Sequence, residues 1–486
     1  MRALFTCLSV VIKINLVLSI NMINRRTFFT SLMASTALGN MARAQGFDVV
    51  TAQDALIFGD GITLFKALEW IRERGSDDMA ASIIQAMRFS RAPANMFTET
   101  LTSITGANVG FDWFDWMLWQ EQNPQVVPHP LFSEFKRSLY SRIDPNFDDF
   151  LKPEYLAPEN MGIRLEEITW GGVKKDGIPS LDQPRMTIPE AITYMRDDDL
   201  VFGVSINGDV RAYPLRILGW HEMLNDVIGG VPVALAYCTL CGSGILFETA
   251  VAGLAGRDAP FVFGSSGLLY RSNKLMFDRE TNSLWSQFTG KPVVGRLVGI
   301  GVELKQHPIV ITTWGAWKVQ NPLTLVLDLD TGYTRDYGSG VVYKDYFASQ
   351  DLMFPVVVNE TKQKAKEYVF GIREFGASRA WPLVAFADSP VINDTIGGKP
   401  VVLLGNAKTR TVRAYERDAF EFIRDTDGVL KSQGGASWVE GEDGLVNATD
   451  QVLPRVAGHI AYWFAWNSYL GAESEVYEPN SQVTAQ

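Results

Sequence analysis

Between about residues 60 and 150, apolar residues recur at helical spacing. Leu64, Leu68 and Ile71 share one face, as do Ala81, Ile84 and Met87. The aromatic run at 111–116 then leads through proline-containing stretches to Phe150. From about 165 the pattern changes to short β-type runs broken by Gly and Pro. Examples are 201–206 before Asn207-Gly208, 231–237 after Gly229-Gly230, and 275–278 facing 283–287 across a loop at 278–282. These periods predict an α+β protein in which an α-helical N-terminal region is followed by a β-rich, internally duplicated domain.

The duplication is read by setting residues 201–233 against 369–401, a constant offset with no gap. Identities fall at 15 of the 33 positions, among them Gly203/Gly371, Arg211/Arg379, Pro214/Pro382, Asn225/Asn393, Gly229/Gly397 and Pro232/Pro400. They concentrate in residues that fix backbone shape: Gly for positive φ, Pro for φ near −65°, and Asn-Asp for turns. The period is too long for a solenoid, so a domain-sized unit is repeated. Both copies close on a paired-Trp segment, Trp314-Gly315-Ala316-Trp317 and Trp463-Phe464-Ala465-Trp466, which we read as core. The expected order is a signal region at 1–44, a helical region at 45–155, a first repeat at 160–345, a degenerate second repeat at 346–475 and a tail at 476–486.

Alignment of the copies separates scaffold from chemistry. His221 corresponds to Ser389, Glu222 to Pro390, Cys238 to Asn406 and Cys241 to Thr409. The second copy keeps the frame without the reactive groups, so the first is expected to be the working one.

The N-terminal segment adds a location. Arg25-Arg26 precede a modestly apolar stretch, and Ala42-Arg43-Ala44 places small residues where a signal peptidase needs them. This is similar to a twin-arginine signal, with Asn24 where Ser or Thr is usual, and it predicts periplasmic export with cleavage after Ala44. Residues 1–21 are apolar but split by Lys13; translation from Met22 is the preferred reading, and an uncleaved membrane anchor is the alternative. No later segment is long and apolar enough to span a bilayer, so no stable membrane insertion of the mature chain is expected. Net charge is −11, and residues 1–44 hold five bases (Arg2, Lys13, Arg25, Arg26, Arg43) and no acid, so the remainder is more acidic still. An acidic surface without a basic run argues against nucleic acid as a partner. A small-molecule or protein partner is left open.

Candidate chemistry gathers at Cys238-Thr239-Leu240-Cys241-Gly242, which follows a strand-like run. Two sulfurs three residues apart in a Gly-rich turn have the local shape of a metal-binding knuckle. No second Cys-x-x-Cys exists, so further ligands must come from elsewhere. His221, in Trp220-His221-Glu222, is the first candidate and His459 the second; Met276 and Glu222 are weaker. His129 lies in the helical region and His307 in an expected loop. Two thiolates and imidazoles suit zinc or copper equally. A redox-active dithiol and a structural disulfide are the alternatives, since the expected compartment is oxidising. A thioredoxin-type dithiol opens a helix; here a turn and strand follow. A non-catalytic binding scaffold is the third functional reading. No Ser-His-Asp arrangement, phosphate loop, Rossmann fingerprint or HExxH motif is present.

Longer motifs carry a resemblance. Leu165-Glu166-Glu167-Ile168, Trp170-Gly171-Gly172-Val173 and Asp176-Gly177-Ile178-Pro179 are followed by Arg211-Ala212-Tyr213-Pro214-Leu215 and Trp220-His221-Glu222. Tyr237-Cys238 to Cys241-Gly242, and Asp278-Arg279 to Ser283-Leu284-Trp285-Ser286-Gln287, complete the pattern. Over roughly 160–470 the chain resembles the bacterial and archaeal family known as domain of unknown function 3179. The resemblance implies an exported or membrane-associated protein with a Tyr-Cys-x-x-Cys-Gly segment and no established reaction. It also implies that His459, in a His-x-x-x-Trp-Phe segment, belongs to the family pattern.

Overall fold

The computed structural model describes residues 46–251, 254 and 259–479. The expected signal region and residues 480–486 of the expected tail lie outside them. The described chain forms two compact units, one of residues up to 108 with 128–135, the other of 109–127 with everything from 136 onward.

The first unit holds the helices Val49–Phe58, Gly61–Arg74, Ala80–Phe89 and Ala94–Thr105. Their ends follow from local chemistry. Asp48 and Thr51 form a reciprocal capping box, Asp60 caps the second helix, and Gly75 ends it in the left-handed region at φ +67°. Leu64, Leu68, Ile71, Ala81 and Ile84 are buried as their spacing predicts, while Met87 is half-buried.

The second unit contains both copies of the repeat, element for element. In the first, hairpin Leu200–Ile206/Asp209–Pro214 leads through helix Leu215–His221 to the meander Met223–Ile228, Val231–Cys238 and Ser243–Glu248. In the second, hairpin Tyr368–Glu374/Ala377–Pro382 leads through helix Ala385–Asp388 to Val391–Ile396, Lys399–Asn406 and Thr411–Glu416. The correspondence extends past the aligned sequence. Val310–Thr313 pairs antiparallel with the first hairpin and enters helix Trp314–Gln320; His459–Tyr462 does the same in the second and enters Trp463–Leu470. Leu325–Leu327 and Ser474–Val476 then return parallel to the second hairpin strand of each copy. One buried cluster joins both halves, with Phe202, Tyr213 and Leu235 packed with Phe370, Trp381 and Leu403.

Glycine shows why the frame is repeated. A Cβ on Gly203 would stand 2.2 Å from the Trp317 ring, and one on Gly371 would stand 1.8 Å from Trp466. Each closing tryptophan therefore lies directly on a strand backbone. Alanine at either position must push a fully buried indole, and each substitution should lower stability by about 1–3 kcal/mol, read by urea denaturation. A change below about 0.5 kcal/mol at both sites would mean the tryptophans are not held as described.

The copies differ in what is inserted between meander and closing helix. The first inserts Phe263–Tyr270, Asn273–Asp278, Leu284–Ser286 and Pro292–Val294, which join Ile168–Trp170 in a separate five-stranded sheet. The expected loop at 278–282 is there, held by the Asp278 carboxylate, which accepts from Thr281 and from the Trp285 indole. The second copy inserts five strands between Phe422 and Val456 that extend its meander into an eight-stranded sheet.

Candidate functional site

Cys238 ends a strand whose partner begins at Ser243, and the two residues are paired in register. Residues 239–242 therefore form a four-residue hairpin loop, with Gly242 at φ +59° closing it. Cys238 and Cys241 are joined in this loop as a disulfide, with Cα atoms 5.2 Å apart. Both are fully buried.

The twin loop in the second copy decides what the bond contributes to structure. Asn406 and Thr411 pair in the same register, and Arg410 takes the left-handed conformation at φ +54° where the first copy has Gly242. The same loop thus forms without sulfur. A closed loop this short also gains little from cross-linking, about 2 kcal/mol by chain entropy.

Surrounding groups hold the loop from two sides. Tyr462 N–H donates to Cys241 O at 2.8 Å, and Tyr346 Oη donates to Leu240 O at 2.7 Å. Gly242 lies against the stacked rings of Tyr368 and Tyr462, and a Cβ there would come within 2.9 Å of Tyr368. That contact accounts for glycine here, while the twin's Arg410 reaches Tyr368 by its guanidinium, donating to its Oη at 2.8 Å.

Glu222 organises the other side. It follows helix Leu215–His221 in the left-handed region at φ +56°, a strained conformation for a residue with a Cβ. Its backbone oxygen accepts from Tyr237 N–H at 2.8 Å and from Lys274 Nζ at 3.0 Å. Its carboxylate accepts from the Thr239 hydroxyl at 2.8 Å and the Tyr343 hydroxyl at 3.2 Å, with Lys274 Nζ 3.5 Å from Oε2. Burial pushes the Lys274 ammonium down to about 8 against the pull of Glu222. Cys238, Thr239, Glu222, Lys274 and Tyr343 line one small pocket of about 40 Å³ together with apolar residues such as Val173, Ile178 and Leu268.

Cys241 faces away from that pocket. Its Sγ stands 3.0 Å from Asn273 Oδ1, and Asn273 is oriented by donating through Nδ2 to Arg271 O at 2.8 Å and Ser468 Oγ at 3.3 Å. Arg271 and Ser272 make the preceding turn with φ of +47° and +59°, two adjacent non-glycine residues in the left-handed region. Arg271 is fixed by Glu167, at 2.6 Å from Nε. Strain of this kind persists where surrounding contacts over-determine it.

The expected ligands fall into separate surroundings. His221 Nδ1 lies 2.9 Å from Pro179 O and Nε2 2.6 Å from Tyr337 Oη, so both ring nitrogens are engaged. His459 Nδ1 lies 3.3 Å from Gln306 Nε2, its ring packs on Phe288 and Trp466, and its Nε2 is buried with no hydrogen-bond partner among the described residues. Met276 is core against Trp285. Among the described residues no three His, Cys, Asp or Glu side chains stand together in a set that could hold a metal ion. The disulfide uses both sulfurs and His221 uses both nitrogens, so these side chains as placed do not fit zinc or copper. His307, expected in a loop, is in strand Gln306–His307 and meets Glu248 at 3.0 Å. Lys274, Asn273, Thr239 and Tyr343 were not expected at the site. Sequence gives no clear signal for Lys274, which stands after polar Arg271-Ser272-Asn273 at the edge of the run Leu275-Met276-Phe277.

Residues 175–473 match the family model described as Protein of unknown function (DUF3179). The chain belongs to this family. No curated protein and no solved structure matches it. The DUF3179 region spans both copies of the repeat, so the family unit is itself the duplicated one, and its first half carries the disulfide. No helix among the described residues is long and apolar enough to cross a membrane.

The DUF3179 histidines set a pH dependence. Burial lowers His221 to about 4, against the hydrogen bond its ring donates to Pro179 O, and burial with the nearby Arg373 charge lowers His459 to about 3, from an ordinary value of 6.5. The folded state keeps both neutral while the unfolded chain takes up protons below 6.5. Stability from this source is present above pH 6.5 and is lost as pH falls toward 4, by up to about 1.4 kcal/mol per pH unit for each histidine. Urea unfolding between pH 7 and 4 should show that slope, and His459→Gln should reduce it. An unchanged slope in the variant would contradict the assignment.

Proposed function

We propose that the Cys238–Cys241 pair is a redox-active dithiol and that the protein is an exported thiol–disulfide oxidoreductase. The observation that carries this reading is the twin loop: the second copy builds the same turn without cysteines, so the bond is not needed to shape the hairpin. What the first copy adds is a small pocket lined by both Cys238 and the buried Lys274, and an acceptor at the Cys241 sulfur.

The two sulfurs have unequal roles. An incoming thiolate attacks Cys238 Sγ from the pocket, the S–S bond breaks, and its electron pair leaves on Cys241. Cys241 takes a proton and donates it to Asn273 Oδ1, which stabilises the departing group as a thiol. A second thiol then displaces Cys238 from the mixed disulfide. The balance is two thiols oxidised to one disulfide as the protein disulfide is reduced to a dithiol. Lys274, which lines the same pocket as Cys238, would stabilise the Cys238 thiolate as a neighbouring cation does. Export through the twin-arginine segment would place this chemistry in the periplasm.

The test is thiol counting on folded protein. After mild reduction and native alkylation, Cys238 should be labelled first and Cys241 more slowly, and oxidation of the reduced, unlabelled protein should restore the disulfide without loss of structure. Sulfurs reached only after unfolding would sink the proposal. Metal analysis of the reduced protein decides the alternative: about one zinc or copper per chain, lost in Cys238→Ser, would favour a metal site instead.

A further inference from the structure

The pocket lined by Cys238 holds one buried cation among largely apolar walls, and the inference drawn from it rests on the redox reading above. Its volume of about 40 Å³ is room for about three water-sized groups, enough for a small ion and too little for a folded peptide segment. Its one cation, Lys274, has three donors. Glu222 O takes one at 3.0 Å, and Glu222 Oε2 stands at a long 3.5 Å. At least one N–H is thus uncommitted among the described residues, on a side chain only 4% exposed. The Glu222 carboxylate is held by the Thr239 and Tyr343 hydroxyls on Oε1, and its charge is balanced by Lys274 across 3.5 Å at Oε2.

We propose that this pocket admits a small sulfur monoanion of the hydrosulfide class, which opens the disulfide at Cys238 and leaves a persulfide there. The attacking sulfur forms a new S–S bond with Cys238 Sγ as the Cys238–Cys241 bond breaks and its electron pair passes to Cys241. The new persulfide is more acidic than a thiol, so its proton moves to Cys241. Cys241–SH donates to Asn273 Oδ1, and the persulfide anion stays against Lys274. One sulfide sulfur is oxidised, Cys241 is reduced, and the net charge is unchanged, so no further reactant is required.

The test uses the full oxidised chain with sodium hydrosulfide, sulfite, glutathione or dithiothreitol, trapped by alkylation under native conditions. Rates are divided by those for an unstructured Cys-Thr-Leu-Cys peptide disulfide. Hydrosulfide should be favoured over glutathione by about 10- to 100-fold on this scale, the range expected for one charge-assisted hydrogen bond to the entering ion. Mass spectrometry should find the additional sulfur on Cys238. Lys274→Met should erase the preference; if that variant does not fold, the wild-type ratio decides alone. A ratio near one, a matching preference for sulfite, or sulfur carried on Cys241 would overturn this inference while leaving the redox reading in place. No opening by any reagent, dithiothreitol included, would overturn both.

Discussion

Replacing Cys241 with serine should turn a reversible site into a trap. In Cys241→Ser, Cys238 still faces the pocket, and a small thiosulfonate such as methyl methanethiosulfonate should leave a methylthio group on it that stays. In the reduced parent the same adduct should be expelled as Cys241 re-forms the disulfide. Cys238→Ser should behave oppositely, because Cys241 does not line the pocket and is turned toward Asn273. Its labelling should be about 100-fold slower, the factor imposed by a local opening of roughly 3 kcal/mol. The serine at 241 can donate to the same Asn273 oxygen, so Cys241→Ser is expected to fold. Equal labelling of the two single variants would show that the sulfurs are not differentiated by their surroundings.

The largest stability effect should come from the second copy, at Glu442. Its carboxylate accepts from Arg413 at 2.5 Å and from Arg455 at 2.7 Å, and all three side chains are at most 7% exposed. Arg413 also donates to Gln320, on the closing helix of the first copy, at 3.1 Å. Glu442→Gln leaves two buried guanidiniums without their counter-charge, and breaking such a set costs about 3–5 kcal/mol. Burial alone would raise the Glu442 pKa; the Arg455 and Arg413 charges more than offset it and hold the carboxyl below its ordinary range. The contribution is therefore present at neutral pH and is lost as pH falls through that depressed value. Urea unfolding of parent and variant should differ most near pH 7 and converge in acid. A difference below about 1 kcal/mol at pH 7 would contradict this account.

The scaffold was legible in sequence because backbone-fixing residues repeat. Gly203 and Gly371, Asn207-Gly208 and Phe375-Gly376, and Gly229-Gly230 and Gly397-Gly398 mark the same turns and close contacts in both copies. Cys238 and Cys241 were legible for the converse reason, as departures from that frame. The rest of the site was not, because it comes from segments without a counterpart in the aligned stretch. Asn273 and Lys274 sit on the inserted sheet, and Tyr343 lies beyond the first closing helix. Lys274 follows three polar residues, so its burial has no local signature, and nothing local reveals that Glu222 will meet it. The histidines were overweighted for a related reason: spacing cannot show that Pro179 and Tyr337 already occupy His221.

The most direct test is an equilibrium titration of the native, full-length protein against graded thiol–disulfide buffers, following the state of Cys238 and Cys241 by alkylation and mass spectrometry. A working dithiol should pass reversibly between disulfide and two thiols as one two-electron couple, at a potential within roughly −120 to −270 mV, the span of known oxidoreductases. A pair that stays closed throughout that span, and opens only when the fold is lost, would show a static cross-link and contradict the central claim.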